Sequence, residues 1–163
     1  MRLCGIDAST TQTGFAILDD GELTYQTTIS LKGMKDTDER IKKMMIALGT
    51  LIKEYNPDCL FIENSWNANN IQTTMMLSNI IGAIMYICIA TNTGFNKLLP
   101  SQWRKAIGID MAKKKRPELK QEAIDYVKTK YGIEVNDDAA EAIGIANAAY
   151  ILTDNGKIFT EEE

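Results

Sequence analysis

Histidine is absent from all 163 residues of the sequence. This absence excludes Ser-His-Asp and Cys-His nucleophilic triads, imidazole zinc sites and histidine general bases. Any hydrolytic chemistry in this chain must therefore rely on carboxylates, lysine or a hard metal ion.

Cysteine and proline are also scarce. The three cysteines, Cys4, Cys59 and Cys88, are odd in number, far apart and each within an apolar run. We expect them to be buried reduced thiols rather than disulfide partners or zinc ligands. Only three prolines occur, and the sequence has no low-complexity tract. A single domain spanning residues 1–163 is therefore expected.

Long hydrophobic runs are missing as well. The longest mostly apolar stretch, residues 75–90, is interrupted by Ser78, Asn79 and Gly82. It falls short of the roughly 18 apolar residues that indicate a membrane span. The first residues have no signal-peptide core. We expect a cytoplasmic protein that does not interact with a membrane.

The charges are unevenly distributed, although the net charge is only −4. From residue 134 to the end, eight residues are acidic and one is a lysine. The basic residues between 97 and 120 are Lys97, Arg104, Lys105, Lys113, Lys114, Lys115, Arg116 and Lys120. A segregated basic stretch is typical of phosphate binding, although a solvated lysine-rich loop would have the same composition.

Hydrophobic periodicity predicts an α/β chain. Strands are predicted at 2–8, 13–18 and 22–31, with the turn residues Asp19-Asp20-Gly21 between the second and the third. Helical spacing follows at 36–55, a buried strand at 58–63, a helix at 69–91 and a short strand at 95–99. A short helical segment is expected from Pro100, then helices at 117–130 and 137–152.

This order of elements predicts a five-stranded mixed sheet flanked by helices. A three-stranded antiparallel meander would be extended by two parallel strands joined through right-handed crossovers. The ribonuclease H-like architecture fits this order best.

Four acidic residues stand where such a fold would bring them together. Asp7 ends the first strand and Glu63 ends the fourth, and the two strands would be neighbours. Asp138 and Glu141 are three residues apart and share one face of the last helix. Four converging carboxylates are suited to two Mg²⁺ ions in phosphodiester cleavage. Individually each acid has a structural alternative as a turn or capping residue, and Asp137 is interpreted as a cap.

These residues resemble the RuvC family of Holliday junction resolvases, and more closely its phage-encoded branch. The matching segments are Gly5-Ile-Asp7-Ala-Ser9 with Thr13-Gly14-Phe-Ala-Ile, Phe61-Ile-Glu63, and Asp138-Ala-Ala-Glu141-Ala-Ile-Gly-Ile-Ala. The resemblance implies a homodimeric endonuclease that makes paired nicks in a four-way DNA junction. It also implies that Asp7, Glu63, Asp138 and Glu141 are the catalytic metal ligands, holding Mg²⁺ or Mn²⁺.

The resemblance also implies where DNA and the second subunit would bind. Trp66 occupies the place of an aromatic residue next to the junction centre, although a core or surface anchor is the alternative role for this tryptophan. Trp103 is expected to pack the short helix after Pro100. The helix at 69–91 would pair with its copy in a dimer, and a helix fully buried within the monomer is the alternative. The residues expected to contact junction phosphates are Arg104, Lys105, Lys113, Lys114, Lys115, Arg116 and Lys120.

The sequence departs from the pattern of the bacterial members in three places. Ala8-Ser9 stands where Pro-Gly is usual, Glu141 stands where aspartate is common, and the basic loop lacks a glycine-rich run. The longer side chain of Glu141 leaves the position and preference of the metal open. The altered basic loop leaves the cut-site sequence open and favours action on a broader range of branched DNA.

Two other classes of function remain open from the sequence. An actin-like or sugar-kinase-type ATP-binding protein would share the strand meander and an Asp-initiated loop, here Asp7-Ala-Ser-Thr-Thr. The chain is short for two such lobes and has no glycine-rich nucleotide loop of that kind. A branched-DNA binder that does not cleave would keep the same fold.

Overall fold

The computed structural model describes residues 1–64 and 71–153. The strands are β1 (Arg2–Asp7), β2 (Gln12–Asp19), β3 (Glu22–Ser30), β4 (Cys59–Glu63) and β5 (Gly94–Leu98). The helices are α1 (Thr37–Tyr55), α2 (Ile71–Ala90), α3 (Pro100–Ala106), α4 (Arg116–Tyr131) and α5 (Asp137–Leu152). The predicted elements are all present, and the ends that lie among the described residues differ by one residue at most. The predicted start of the second helix, residue 69, lies outside the described residues.

One sheet contains the five strands in the order β3-β2-β1-β4-β5. β1 and β3 pair with β2 in antiparallel orientation, whereas β4 is parallel to both β1 and β5. The predicted mixed sheet, with its meander and two added parallel strands, is therefore confirmed. β1 lies at its centre, so the end of β1 is flanked by β2 on one side and β4 on the other.

Each face of the sheet is covered by a different set of helices. Because successive strand side chains point to opposite faces, Leu3 and Phe61 pack with α3, α4 and α5 on one face. Cys4 and Ile6 pack with α1 and α2 on the other. The three cysteines are buried and free, as expected. The chain thus has two apolar layers, and the side chains at odd-numbered positions of β1 face α5.

α5 packs unusually close to the sheet because two strand residues are glycines. A Cβ added at Gly5 would lie 2.2 Å from the carbonyl oxygen of Ala142, and one at Gly14 would lie 1.9 Å from that of Asp138. Most of the helix is alanine, isoleucine or glycine, and it is buried along most of its length. The small residues therefore set the distance between the acids of α5 and the strand ends.

Asn136, rather than Asp137, caps α5. The side-chain oxygen of Asn136 accepts a hydrogen bond from the backbone N–H of Ala139 at 2.9 Å. Asp137 is the first residue of the helix, and its carboxylate accepts a hydrogen bond from Lys120 at 2.5 Å. The interpretation of Asp137 as the cap was therefore wrong by one residue, since asparagine at the preceding position performs that role.

α2 is long and apolar enough to cross a membrane by length and composition alone, with a mean hydropathy of 1.7. The expectation that residues 75–90 are too few for such a span was therefore wrong, because the helix has 20 residues, from Ile71 to Ala90, and its mean hydropathy is high despite the polar residues within it. In this fold one side of the helix packs on the sheet through Ile80, Ile81, Ile84 and Cys88. The opposite side is exposed.

Candidate active site

The carboxylates of Asp7 and Glu63 come from adjacent parallel strands. Ile6 of β1 is paired with Ile62 of β4, so the next residue of each strand is one of the two acids. Both follow the side-chain alternation that directs residues toward α5. The convergence predicted from the strand ends is therefore reproduced in the fold.

α5 supplies the other two acids from above the same strand ends. Asp138 and Glu141 lie in its first turns, three residues apart. Glu141 is 4% exposed, whereas Asp138 is only partly buried. The other three acids, Glu63, Asp138 and Glu141, all act electrostatically on Asp7 and raise its pKa.

Burial and like charge both perturb these carboxylates. The pKa of Asp7 is raised well above its ordinary value, first by burial and then by the negative charges of Glu141, Glu63 and Asp138. Burial is also the main reason why the pKa values of Asp138 and Glu141 are raised. Burial and repulsion of this kind disfavour the charged forms unless a cation is close. A positive charge close to these carboxylates would therefore stabilise their ionised forms.

Two basic side chains, Arg104 and Lys120, supply positive charge next to the acids. Arg104 of α3 contacts Glu63 at 3.3 Å and also pairs with Glu141. Lys120 of α4 pairs with Asp137, and its Nζ lies 3.8 Å from a carboxylate oxygen of Glu141. Both cations therefore approach the site from the side of Glu141.

Trp103 also binds a carboxylate of the site. Its side chain is fully buried, and its indole N–H donates to Glu63 Oε2 at 2.6 Å. The predicted packing role is present, but the hydrogen bond to Glu63 was not predicted. Nothing in the sequence indicated that Trp103 and the neighbouring Arg104 both contact the carboxylate of Glu63.

A cleft of about 450 Å³ opens over the acids. Its walls include Asp7, Glu63, Glu141, Arg104 and Arg116. Carboxylate oxygens are ligands that Mg²⁺ and Mn²⁺ prefer. The raised pKa of Asp7 indicates that a cation bound in this cleft would be stabilised. In residues 1–64 and 71–153 no three acidic or sulfur side chains are already grouped closely enough to form a complete metal site. The chemistry of the donor set, carboxylates from three elements at one cleft, nevertheless fits such a metal.

The basic residues are not all placed alike. Lys105, Lys113, Lys115 and Arg116 are exposed, and Lys114 and Lys120 are partly buried. Lys114 pairs with Glu122 at 2.6 Å. Arg104 differs from the rest because it is 6% exposed and engaged with two acids. Trp66 lies outside the described residues.

Comparison with known proteins identifies the family. Residues 3–148 match the family described as Crossover junction endodeoxyribonuclease RuvC. The chain belongs to the RuvC family. Among its relatives, the RuvC of Ralstonia nicotianae is 29% identical over 153 residues, covering 90% of this chain and 81% of the relative. The RuvC of Caldicellulosiruptor saccharolyticus is 27% identical over 173 residues, with 100% of this chain and 99% of the relative covered.

Solved structures of Holliday junction resolvases have the same fold. A Thermus thermophilus RuvC in complex with a Holliday junction substrate superposes with a TM-score of 0.79 at 16% identity, over 96% of each chain. The yeast mitochondrial Holliday junction resolvase Ydc2 superposes with a TM-score of 0.60 at 19% identity, over 94% of this chain and 79% of that one. The RuvC-type, ribonuclease H-like fold expected from the sequence is thereby confirmed.

Proposed function

We propose that this chain is a metal-dependent endodeoxyribonuclease that resolves four-way DNA junctions, and other branched DNA, by paired nicks from a homodimer. The observation that carries the proposal is the convergence of acids from β1, β4 and α5 at one cleft, in a chain that belongs to the RuvC family. Its relatives are named crossover junction endodeoxyribonucleases. We propose further that residues 1–163 form one nuclease domain that acts in the cytoplasm of a bacterial cell.

The four carboxylates would hold two Mg²⁺ ions, for which Mn²⁺ would substitute. Asp7, Glu63, Asp138 and Glu141 would be the ligands. Such ions, when bound, activate a water molecule and stabilise the leaving oxygen of a phosphodiester. The chain's own contribution is to hold the acids on rigid elements, since β1 and β4 are central strands and α5 is a buried helix.

The basic residues next to the cleft would bind junction phosphates. Arg116 lines the cleft itself, and Lys120 lies at its edge beside Glu141. Lys105, Lys113, Lys114 and Lys115 lie in α3 and in the segment that leads into α4. Contacts of this kind position DNA without reading its sequence. Arg104 would reach only a phosphate that enters the cleft, and Trp66 would stack on an unpaired base.

The exposed side of α2 supports the homodimer. Six exposed residues recur along it at alternating spacings of four and three, which is the seam of a helix pair. They are Ile71, Met75, Ser78, Gly82, Met85 and Ile89. The small residues at the centre of the seam would allow two copies of the helix to approach closely. An apolar seam of this length in contact with water is expected to have a partner.

Gly82→Leu tests the dimer separately from the fold. A Cβ at Gly82 meets no atom within 4 Å in the chain itself. The larger side chain should therefore leave the monomer folded and weaken self-association, measured by analytical ultracentrifugation. Gly49→Ala in α1 is the matched control and should leave the association state unchanged. A Gly82→Leu variant that associates as tightly as the wild type would contradict the assignment of this seam.

Synthetic DNA substrates test the activity. The protein should cut four-way junctions in the presence of Mg²⁺, with paired nicks in opposed strands, and should spare linear duplex. Equal cutting of linear duplex would reject the resolvase function. Binding of junctions without cutting would favour a DNA-structure binder, and tight ATP binding without cutting would favour the ATP-binding alternative.

A further inference from the structure

α3 inserts two adjacent side chains between the strand and helix that contribute Glu63 and Glu141. Trp103 Nε1 and Arg104 Nη1 both donate to Glu63 Oε2, at 2.6 Å and 3.3 Å. Arg104 Nη2 donates to Glu141 Oε1 on the other side. The guanidinium therefore bridges two of the four acids.

Arg104 is held firmly in this bridging position. Its guanidinium carbon lies 4.1 Å from the centre of the Trp103 ring, and only 6% of the residue is exposed. The Trp103 ring is itself fixed against α5, where a Cβ at Gly144 would approach it to 2.8 Å. A planar guanidinium stacked on an indole loses little freedom when it forms a fork of hydrogen bonds. Arg104 is thus preorganised to stay between the acids.

The same arginine satisfies only part of its own hydrogen-bonding capacity. Its Nε is buried and has no hydrogen-bond partner among the described residues. A buried ion pair is weak support for stability, because removing charges from water offsets much of the attraction. A clamp between α3, β4 and α5 would not need a charge at this place. The charge matters because it lies on two carboxylates of the proposed metal site.

We propose that Arg104 is a built-in counter-cation, which neutralises Glu63 and Glu141 and competes with a divalent metal ion for them. The inference rests on the proposed function. Arg104 is a positioning residue in this role: it keeps the two acids close before metal binds, and it weakens the metal binding that follows. A metal ion that takes oxygens of both acids must displace or share the guanidinium.

Direct metal binding, measured without DNA, tests this role. Isothermal titration calorimetry with Mn²⁺ would compare the wild type with Arg104→Gln. Removal of a positive charge next to the carboxylates should tighten Mn²⁺ binding by about tenfold, while cleavage of four-way junctions at saturating metal falls. Lys53→Gln removes an exposed positive charge from α1 on the other face of the sheet and should leave both unchanged.

A merely structural clamp gives the opposite result for metal affinity. If Arg104→Gln is folded by circular dichroism and binds Mn²⁺ no more tightly than the wild type, the inference is overturned. Arg104→Lys retains the charge but not the planar fork. Arg104→Lys should therefore be more stably folded than Arg104→Gln. It should bind Mn²⁺ more tightly than the wild type, by a smaller factor than Arg104→Gln does. Binding equal to or weaker than that of the wild type would also overturn the inference. A wild type that neither binds Mn²⁺ nor cuts junctions would instead refute the proposed function.

Discussion

Gly14→Ala should test whether the close packing of α5 on β2 determines the geometry of the active site. The added methyl group would lie 1.9 Å from the carbonyl oxygen of Asp138 and 2.5 Å from its carbonyl carbon. Both atoms belong to the backbone of α5, so no flexible side chain can yield. The start of the helix must move away from β2 by about 1.5 Å before the contact becomes an ordinary one.

That displacement affects both stability and activity. Overpacking of this kind typically costs about 1–3 kcal/mol of unfolding free energy. Each kcal/mol lowers the Tm of a domain of this size by about 2–4 °C. Because Asp138 is the displaced residue, the carboxylates lose their alignment, and a misplacement of about 1 Å can reduce the rate about 10²-fold.

Thermal unfolding and junction cleavage would be measured on the same preparations. Cleavage is assayed well below the Tm of the variant, so that loss of rate reports geometry rather than unfolding. Gly49→Ala in α1 is the control, because a Cβ there meets only Ile87 Cδ1 at 3.7 Å. It should stabilise the helix by roughly 0.5–1 kcal/mol and leave cleavage unchanged. If Gly14→Ala has the Tm and the cleavage rate of the wild type, close packing of α5 does not determine the position of the active-site carboxylates.

Three further predictions concern charge and hydrogen bonding. Asp7→Asn should abolish cleavage but not junction binding, and should raise the metal-free Tm at pH 8, because burial and neighbouring acids raise the pKa of Asp7. Above about pH 3.8, Asp7 of the wild type binds more protons in the folded protein than in the unfolded chain, which destabilises the fold as the pH rises. The increase in Tm caused by Asp7→Asn should therefore shrink as the pH falls toward that value. Alanine at both Lys113 and Lys115 should reduce the salt dependence of junction binding by about 0.9 in log–log slope per lost phosphate contact, measured by fluorescence anisotropy. Trp103→Phe should lower the unfolding free energy by about 1.5–3 kcal/mol in chemical denaturation, since Glu63 loses a buried donor.

The sequence predicted the acids because their positions depend on local patterns. An aspartate or glutamate at the end of an apolar run marks a strand end, and two acids three residues apart share a helix face. Asp7 and Glu63 are brought together by the pairing of β1 with β4, which follows from the order of elements. The placement of these acids could therefore be predicted without knowledge of any side-chain contact.

Arg104 could not be placed in the same way. In the sequence it stands beside Lys105 in a basic stretch, and both were expected to contact phosphates. The structure exposes Lys105 and buries Arg104 against Glu63 and Glu141. The difference arises from how α3 docks against β4 and α5, which is a tertiary property. A one-residue step along a short helix changes direction by about 100° and decides which side chain faces the site.

The cations of the chain are distributed unequally over the four acids. Glu63 and Glu141 share Arg104, and Lys120 lies beside Glu141. Neither Asp7 nor Asp138 forms an ion pair with any residue in the ranges 1–64 and 71–153.

This asymmetry gives the two sides of the site different relations to a metal ion. At Asp7 and Asp138 the ion would relieve repulsion that Lys120 offsets only from a distance, without an ion pair. At Glu63 and Glu141 it would compete with a guanidinium already in place. Removing Asp7 should therefore weaken metal binding, and removing Arg104 should strengthen it. Opposite signs for two neighbouring substitutions are difficult to explain by a general loss of packing, because packing defects weaken metal binding in both cases.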